Sequence, residues 1–196
     1  MRTAELKRKT AETDIELKLN LDGTGKGTIQ TGVGFMDHML TLFARHGRID
    51  LDVCCRGDTM VDDHHSVEDI GIVLGAALAK AMGDKRGIKR YGSMILPMDE
   101  ALVLCALDLS GRSCLRYQAE IPSQKIGTFD TELVEEFFLA VTRSAGTTLH
   151  LRQMDGVSSH HIVEAMFKAF GRALREAVSI DESLGGEIPS TKGVLV

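Results

Sequence analysis

Two stretches of the chain, residues 64–82 and 160–178, carry apolar side chains at the 3.6-residue spacing of an amphipathic helix. The apolar positions are Val67, Ile70, Leu74 and Leu78 in the first stretch and Val163, Met166, Phe170 and Leu174 in the second. Upstream of each stretch, over 17–23 and 107–111, apolar and polar residues alternate and the alternation ends at a glycine. The pattern therefore predicts a strand ahead of each helix.

Each half of the chain repeats the same order of elements. A second helix is predicted near residues 35–46 in the first half and near 130–145 in the second. A further alternating strand follows each of these helices, at 49–53 and at 148–151. Two α+β halves with one apolar sheet face each would pack their helices against that face.

The two long helices also share a sequence motif. His64-His65-Ser66-Val67-Glu68 and His160-His161-Ile162-Val163-Glu164 differ at one position and lie 96 residues apart. At the same offset Gly75, Ala77, Leu78 and Ala81 match Gly171, Ala173, Leu174 and Ala177. We interpret the chain as a single domain made by internal duplication, with repeats at about 1–88 and 89–184 and a C-terminal tail at 185–196.

The shared HHxVE motif places possible metal ligands on one helix face. Residues four apart are neighbours on a helix, so His64 and Glu68 can share one ion, as can His160 and Glu164. Imidazole and carboxylate ligands without thiolate suit Mn, Fe, Co, Ni or Zn. A lone histidine is more often a packing residue, but two copies of this motif in a chain with seven histidines favour a metal site.

The middle histidines of the motifs, His65 and His161, lie about 100° around the helix axis from their neighbours and should reach a different ion. The predicted sets are His64, Glu68 and His161 at one ion, and His160, Glu164 and His65 at the other. This exchange requires the two helices to face each other, within the chain or between subunits.

His38 is a further candidate ligand, and its counterpart in the second half is Glu136. His38 lies on a predicted apolar helix, where a histidine packed in the core is the alternative interpretation. The residues alone leave both positions open between metal binding and packing.

Several side chains could bind a phosphate, since Arg and Lys pair with phosphate oxygens and a Ser hydroxyl can donate to them. They are Arg90, Arg112, Lys168, Ser190 and Lys192. Spacing ties only Lys168 to the metal motif, one turn beyond Glu164; the turn-prone segment 189–193 could fold over a phosphate. The alternative for each is an ordinary surface residue. No glycine-rich nucleotide fingerprint is present, so nucleotide cofactors are not expected.

The bulk properties restrict the class of protein. A formal net charge of −5 gives no long-range attraction to nucleic acid or anionic lipid. No stretch reaches the roughly 20 apolar residues that cross a bilayer, and the charged N-terminus has no secretory signal pattern. Cys54, Cys55, Cys105 and Cys114 do not form a disulfide or zinc pattern, and we expect reduced packing residues in a cytoplasmic protein.

Four segments together resemble the imidazoleglycerol-phosphate dehydratase family. They are 35–39 (FMDHM), 62–69 (DDHHSVED), 160–169 (HHIVEAMFKA) and 189–193 (PSTKG). The resemblance runs from about Arg8 to the C-terminus, and these motifs in this order are highly specific. It implies two similar halves, each with a four-stranded sheet and helices on one face, a ribosomal protein S5 domain 2-like fold. It also implies a 24-subunit shell with metal sites between subunits.

The resemblance assigns roles to individual residues. It implies two Mn(II) ions per site, with ligand positions at His38, His64, His65, Glu68, Glu136, His160, His161 and Glu164. Members of the family carry a histidine at the position of Glu136, and a carboxylate can also bind Mn(II). The resemblance makes Glu12 the acid/base and His46 a substrate contact. It places Arg90, Arg112, Lys168, Ser190 and Lys192 around the phosphate.

The activity that the resemblance implies is the dehydration of D-erythro-imidazole-glycerol 3-phosphate to imidazole acetol phosphate in histidine biosynthesis. The C2 proton of the glycerol chain is not acidic. Our hypothesis is that metal binding at both ring nitrogens gives an imidazolate, which expels the hydroxyl as a diazafulvene forms. The C2 proton is acidic in that intermediate, and Glu12 would transfer protons.

Two other classes of protein fit part of the pattern. A dinuclear metal hydrolase acting on a phosphate ester or an amide would use a metal-bridging hydroxide and usually has more carboxylates than this histidine-rich set. A metal-stapled cage or metal-storage protein would need neither the basic cluster nor Glu12. Product analysis separates the three classes. A ketone product would indicate the dehydratase, free phosphate would indicate the hydrolase, and metal-dependent assembly without turnover would indicate the cage.

Overall fold

The computed structural model describes residues 1–195 and contains two four-stranded sheets and four helices. The elements of the first half are β1 (Thr3–Lys9), β2 (Thr13–Asn20), β3 (Ile29–Gln30), α1 (Gly34–Gly47), β4 (Asp50–Gly57) and α2 (His64–Met82). Those of the second half are β5 (Tyr91–Met98), β6 (Ala101–Asp108), β7 (Cys114–Gln118), a short hairpin of β8 (Lys125–Ile126) and β9 (Phe129–Asp130), α3 (Leu133–Ala145), β10 (Thr148–Asp155) and α4 (Ser159–Ala177). A 3₁₀ turn, Glu182–Leu184, opens the C-terminal segment.

Both sheets have the same topology. The strand orders are β1-β2-β4-β3 and β5-β6-β10-β7, and in each sheet the short edge strand runs parallel to its neighbour. Alternate residues of the central strands are buried, such as Ile15 and Leu17 on β2 and Val103 and Cys105 on β6. The predicted duplicated α+β fold is therefore confirmed, and so are its predicted helices to within a few residues. The helix expected from 130 starts at 133, because Phe129 and Asp130 pair with the preceding strand.

The helices pack across the two halves. α2 lies on β1 and β2 but also packs along α3, whereas α4 lies on β5 and β6 and packs along α1. Phe43 of α1 stacks on Phe170 of α4 with ring centroids 5.2 Å apart. One continuous core contains residues of both sheets and all four helices, so each half completes the burial of the other.

At each of the two helix crossings, α1 with α4 and α2 with α3, a glycine allows the two helix backbones to come close together. A Cβ on Gly171 would lie 2.6 Å from the carbonyl oxygen of Phe43, and a Cβ on Gly75 would lie 2.5 Å from that of Val141. Backbone atoms cannot move aside as a flexible side chain can. Gly75 and Gly171 occupy matching positions in the two repeats, and at both positions the packing of two helices leaves no room for a Cβ.

We expect Gly171→Ala to destabilise the fold, although alanine favours a helix over glycine by about 1 kcal/mol. Overpacking a close contact costs about 1–3 kcal/mol, and here the contact is with backbone. Urea unfolding should show a lower midpoint with an unchanged slope. Gly34→Ala is the matched control, because a Cβ there meets nothing within 4 Å. A Gly171 variant as stable as the Gly34 variant would contradict the packing argument.

The cysteines are only partly the packing residues that we expected. All four are free thiols. Cys55 and Cys105 are buried, but Cys54 and Cys114 are exposed. Cys54 and Cys55 differ because neighbouring residues of a strand point to opposite faces of the sheet. Burial raises the pKa of the Cys55 thiol to about 11, so this thiol stays protonated at neutral pH. None of the helices formed by residues 1–195 is both long and apolar enough to span a bilayer.

Candidate metal centre

Three predicted ligands converge where α1 meets α4. The Oε2 atom of Glu164 lies 3.1 Å from Nε2 of His160 and 3.5 Å from Nε2 of His38. One ligand atom from each residue lies within 4.8 Å of the other two, and within residues 1–195 no other three His, Cys, Asp or Glu residues meet this condition. The helix spacing explains the His160–Glu164 pair, and the Gly171 crossing brings in His38.

The Glu164 carboxylate is the least exposed part of this cluster. The residue is 7% exposed, and its Oε1 forms an ion pair with Nζ of Lys168 at 2.5 Å. Burial would raise the pKa of Glu164, but the Lys168 ammonium and the two histidines outweigh it and lower the pKa. The carboxylate is therefore held in its anionic form, which is the form that binds a metal.

The equivalent ligands of the first half are more open. Nε2 of His64 lies 3.8 Å from Oε2 of Glu68, and about two fifths of each side chain is exposed. Glu136 occupies the position on α3 that His38 occupies on α1, and it is half-buried. α3 packs along α2, but within residues 1–195 Glu136 does not form a second convergent group with His64 and Glu68.

The middle histidines of both motifs contact other groups within the chain. Nδ1 of His65 pairs with Asp58 at 3.0 Å, while its Nε2 lies 3.7 Å from Oε1 of Glu12. Nδ1 of His161 pairs with Oε2 of Glu100 at 2.7 Å. Within one chain the residue that lies next to His160 and Glu164 is His38, whereas the sequence analysis predicted His65 at that place. The predicted exchange of His65 and His161 stays a prediction for contacts between copies of the chain.

Hydrogen bonds in these pairs shift the pKa of His65, His161 and Glu100. The hydrogen bond that His65 donates to Asp58 raises the pKa of His65, and the hydrogen bond that His161 donates to Glu100 raises the pKa of His161. In return, His161 and then the Ser158 amide lower the pKa of Glu100 to about 2. Glu100 is therefore a carboxylate at any physiological pH.

A second group of predicted residues lies around a pocket of about 180 Å³. Its lining includes Arg90, Arg112, Ser190 and Lys192. Arg90 is oriented by Asp108 through a paired contact, Nε to Oδ1 at 2.7 Å and Nη2 to Oδ2 at 3.1 Å. Its Nη1 donates to the carbonyl of Pro189 at 2.9 Å, which ties the C-terminal segment to the pocket.

Arg90 also has a backbone conformation that non-glycine residues seldom adopt, with φ of 72°. Such backbone strain is found mainly where the surroundings fix a functional side chain. Lys168 lies apart from this pocket, against Glu164 and Met98. The predicted tail 185–196 contains Ser190 and Lys192, which line the basic pocket. The last residue of the tail, Val196, lies outside the described residues.

His46 lies in the last turn of α1 and is half-buried. Burial lowers its pKa, and the positive charges of Lys168 and Arg172 lower it further. His46 is therefore neutral at physiological pH, with one ring nitrogen able to donate and the other able to accept a hydrogen bond.

Sequence reasoning missed three acidic residues of the site: Asp58, Glu100 and Asp108. Each pairs with a predicted residue that is distant in the sequence or on another element. Glu100 alone carried a signal, because it directly precedes β6 as Glu12 directly precedes β2.

The fold and the convergent histidine–carboxylate group define a duplicated α+β protein with a candidate metal centre at the start of α4 and a basic pocket near its end. The family model described as imidazoleglycerol-phosphate dehydratase matches residues 31–174. The chain belongs to the imidazoleglycerol-phosphate dehydratase family, a family of lyases.

Relatives match the full length of this chain, and solved structures match at least 91% of it. The imidazoleglycerol-phosphate dehydratase of Jannaschia sp. (strain CCS1) is 62% identical over all of both chains. That of Synechococcus sp. (strain WH7803) is 60% identical over 100% of this chain and 96% of its own length. The Staphylococcus aureus N315 enzyme structure superposes with a TM-score of 0.84 at 43% identity, over 91% of this chain and 99% of that one. The structure of the Pyrococcus furiosus enzyme in complex with (S)-C348 superposes with a TM-score of 0.84 at 38% identity, over 97% of this chain and 100% of that one.

Proposed function

We propose that this chain dehydrates D-erythro-imidazole-glycerol 3-phosphate to imidazole acetol phosphate in the cytoplasm, as a step of histidine biosynthesis. The observation that carries the proposal is the convergence of His38, His160 and Glu164, in a chain of the dehydratase family.

The residues present fit divalent metal ions. The convergent atoms are two imidazole nitrogens and an anionic oxygen, a donor set that suits Mn(II), and we propose two Mn(II) ions per site. The proposed ligands are His38, His64, His65, Glu68, Glu136, His160, His161 and Glu164. When bound, such ions supply Lewis-acid chemistry to the nitrogen atoms of the substrate ring.

Glu12 is the proposed acid/base. Its side chain is 52% exposed and its Oε1 lies 3.7 Å from Nε2 of His65, so it can reach both solvent and a molecule bound at the motif histidines. Its backbone is held by the amide of Asp58, which donates to the Glu12 carbonyl at 3.1 Å. A carboxylate fixed in this way can take a proton from one carbon and return one to another without leaving the site.

The basic pocket is the proposed phosphate subsite. Arg90 presents a guanidinium oriented by Asp108, and Arg112, Ser190 and Lys192 add donors around the same pocket. Lys168 beside Glu164 and neutral His46 are proposed to contact the substrate nearer the metal centre. Fixing the unreactive phosphate end positions the reacting carbons.

We also propose that the site is completed in a 24-subunit shell. His64 and Glu68 are exposed in the single chain, and His65 and His161 direct Nε2 away from the carboxylates that hold their Nδ1 atoms. Ligands from a neighbouring copy would complete both ligand sets.

The test is turnover of imidazole-glycerol 3-phosphate by chelator-stripped protein, before and after adding Mn(II). We expect ketone to form only after the metal is added. Formation of free phosphate would replace the proposal with a hydrolase, and no product with any divalent metal would favour a metal-binding cage.

A further inference from the structure

The second histidine of each HHxVE motif has to present one particular ring nitrogen to a metal. In a neutral imidazole one nitrogen carries the proton and the other has the lone pair. A hydrogen-bond acceptor at one nitrogen holds the proton there and leaves the other nitrogen free to bind a metal. His65 and His161 therefore each need an acceptor on the side facing away from the metal.

In the first half this acceptor comes from the residue directly after β4. Oδ2 of Asp58 lies 3.0 Å from Nδ1 of His65. The turn before β2 places a second carboxylate near the other nitrogen, with Glu12 Oε1 at 3.7 Å from Nε2. Two carboxylates thus approach one histidine from opposite sides.

In the second half the equivalent position has no acceptor in its side chain. A Cβ on Gly57 would contact Ser66 of the first motif, and a Cβ on Gly156 would contact Ile162, the matching residue of the second motif. Gly57 and Gly156 therefore correspond, and the residue that follows is Asp58 in the first half but Val157 in the second. A valine side chain cannot accept a hydrogen bond.

The turn before β6 supplies the acceptor instead. Glu100 precedes β6 as Glu12 precedes β2, and its Oε2 lies 2.7 Å from Nδ1 of His161. Its Oε1 accepts from the backbone amide of Ser158 at 2.8 Å. Both carboxylate oxygens are therefore engaged, one with the histidine and one with the start of α4.

We propose that Asp58 and Glu100 are positioning residues that hold the Nδ1–H form of His65 and His161, so that Nε2 binds the metal. The acceptor for the histidine Nδ1–H group follows β4 in the first half and precedes β6 in the second half. Because Asp58 orients the histidine in the first half, the turn carboxylate is free there, and that carboxylate is Glu12. The inference rests on the proposed metal-binding roles of the two histidines.

Glutamine at position 100 is a diagnostic substitution. Its single oxygen can accept from Ser158 or from His161, but not from both in the observed geometry. If the oxygen takes the Ser158 amide, the NH₂ group faces Nδ1 of His161 and the metal-binding nitrogen becomes the protonated one. If the oxygen takes His161, an amide at the start of α4 loses its acceptor.

The experiment titrates apo protein with Mn(II) and follows free Mn(II) by EPR. We expect Glu100→Gln and Asp58→Ala each to weaken Mn(II) binding about 10–100-fold, the usual effect of removing such a partner. Alanine is used at position 58 because, among the described residues, the Asp58 carboxylate hydrogen-bonds only with His65, so an asparagine oxygen could still accept from Nδ1–H. Asp58→Ala tests the idea even if Glu100→Gln misfolds. Glu16→Gln, an exposed carboxylate paired with Lys7, is the control.

Turnover gives a second readout that separates positioning from acid/base chemistry. Excess Mn(II) should restore turnover in the Asp58 and Glu100 variants but not in Glu12→Gln. Unchanged Mn(II) affinity in both positioning variants would overturn the inference. His161→Ala separates it from the proposed function: Mn(II) binding unaffected by that variant contradicts the ligand set itself, whereas weakened binding there with normal binding in Glu100→Gln contradicts only the positioning role.

Discussion

Replacing Glu12 with glutamine should reduce turnover about 10²–10⁴-fold, the contribution expected of one general acid/base, while Mn(II) binding is retained. Glutamine keeps the size of the side chain and its capacity to hydrogen bond, but it cannot accept and return a proton. The loss should therefore appear in kcat, with little change in KM. Steady-state kinetics on the metal-loaded enzyme provide the measurement.

The fold holds Glu12 in place independently of its carboxylate. Thr13, the next residue, donates to the buried Asp69 at 2.5 Å, and Arg8 donates to the same carboxylate at 2.8 Å. Asp69 follows Glu68 on α2, so these contacts fix the Glu12 turn to the helix that carries the motif. The corresponding residue of the second motif is Ala165, which has no such polar group. The substitution Glu12→Gln leaves all of these contacts intact.

Glu16→Gln is the matched control for this experiment. Glu16 lies on the adjoining strand, and its side chain is 54% exposed against 52% for Glu12. Both variants remove one charge from the same part of the surface. Equal turnover in the two variants would remove Glu12 from the mechanism and leave a role for its charge at most.

The sequence predicted what depends on local periodicity. The spacing of apolar residues located all four helices, and the two HHxVE motifs predicted which histidine and glutamate side chains lie close together, because residues four apart meet on any helix. Whether His38 or Glu136 could join them was left open by the residues alone. Only the α1–α4 crossing, which Gly171 permits, places His38 3.5 Å from Glu164.

The acidic partners of the histidines were not predictable in this way. Asp58 reaches His65 across a six-residue loop, and Glu100 reaches His161 from a turn 61 residues away in sequence. Among 28 acidic residues, neither has a motif of its own. Their proposed roles follow from strand ends that meet at the start of a helix. The two halves differ because Val157 stands in the second half at the position that Asp58 occupies in the first.

Replacing Glu164 with glutamine should abolish tight Mn(II) binding and turnover, and unlike Glu12→Gln it should also destabilise the fold. Its carboxylate touches His38, His160 and Lys168 at once. The side chains of Glu164 and Lys168 are 9% and 14% exposed. A neutral amide leaves the Lys168 ammonium without its countercharge in a place that water hardly reaches.

Removing one partner of a buried ion pair costs about 3–5 kcal/mol, so we expect a clearly lower melting temperature of apo Glu164→Gln. Glu16→Gln tests whether burial is the cause, because Glu16 also lies 2.5 Å from a lysine but on the exposed surface. Its stability should hardly change. Equal melting temperatures for both variants would mean that the Glu164–Lys168 pair does not stabilise the fold. A stable Glu164 variant that fails to bind Mn(II) would then assign this carboxylate to the metal alone.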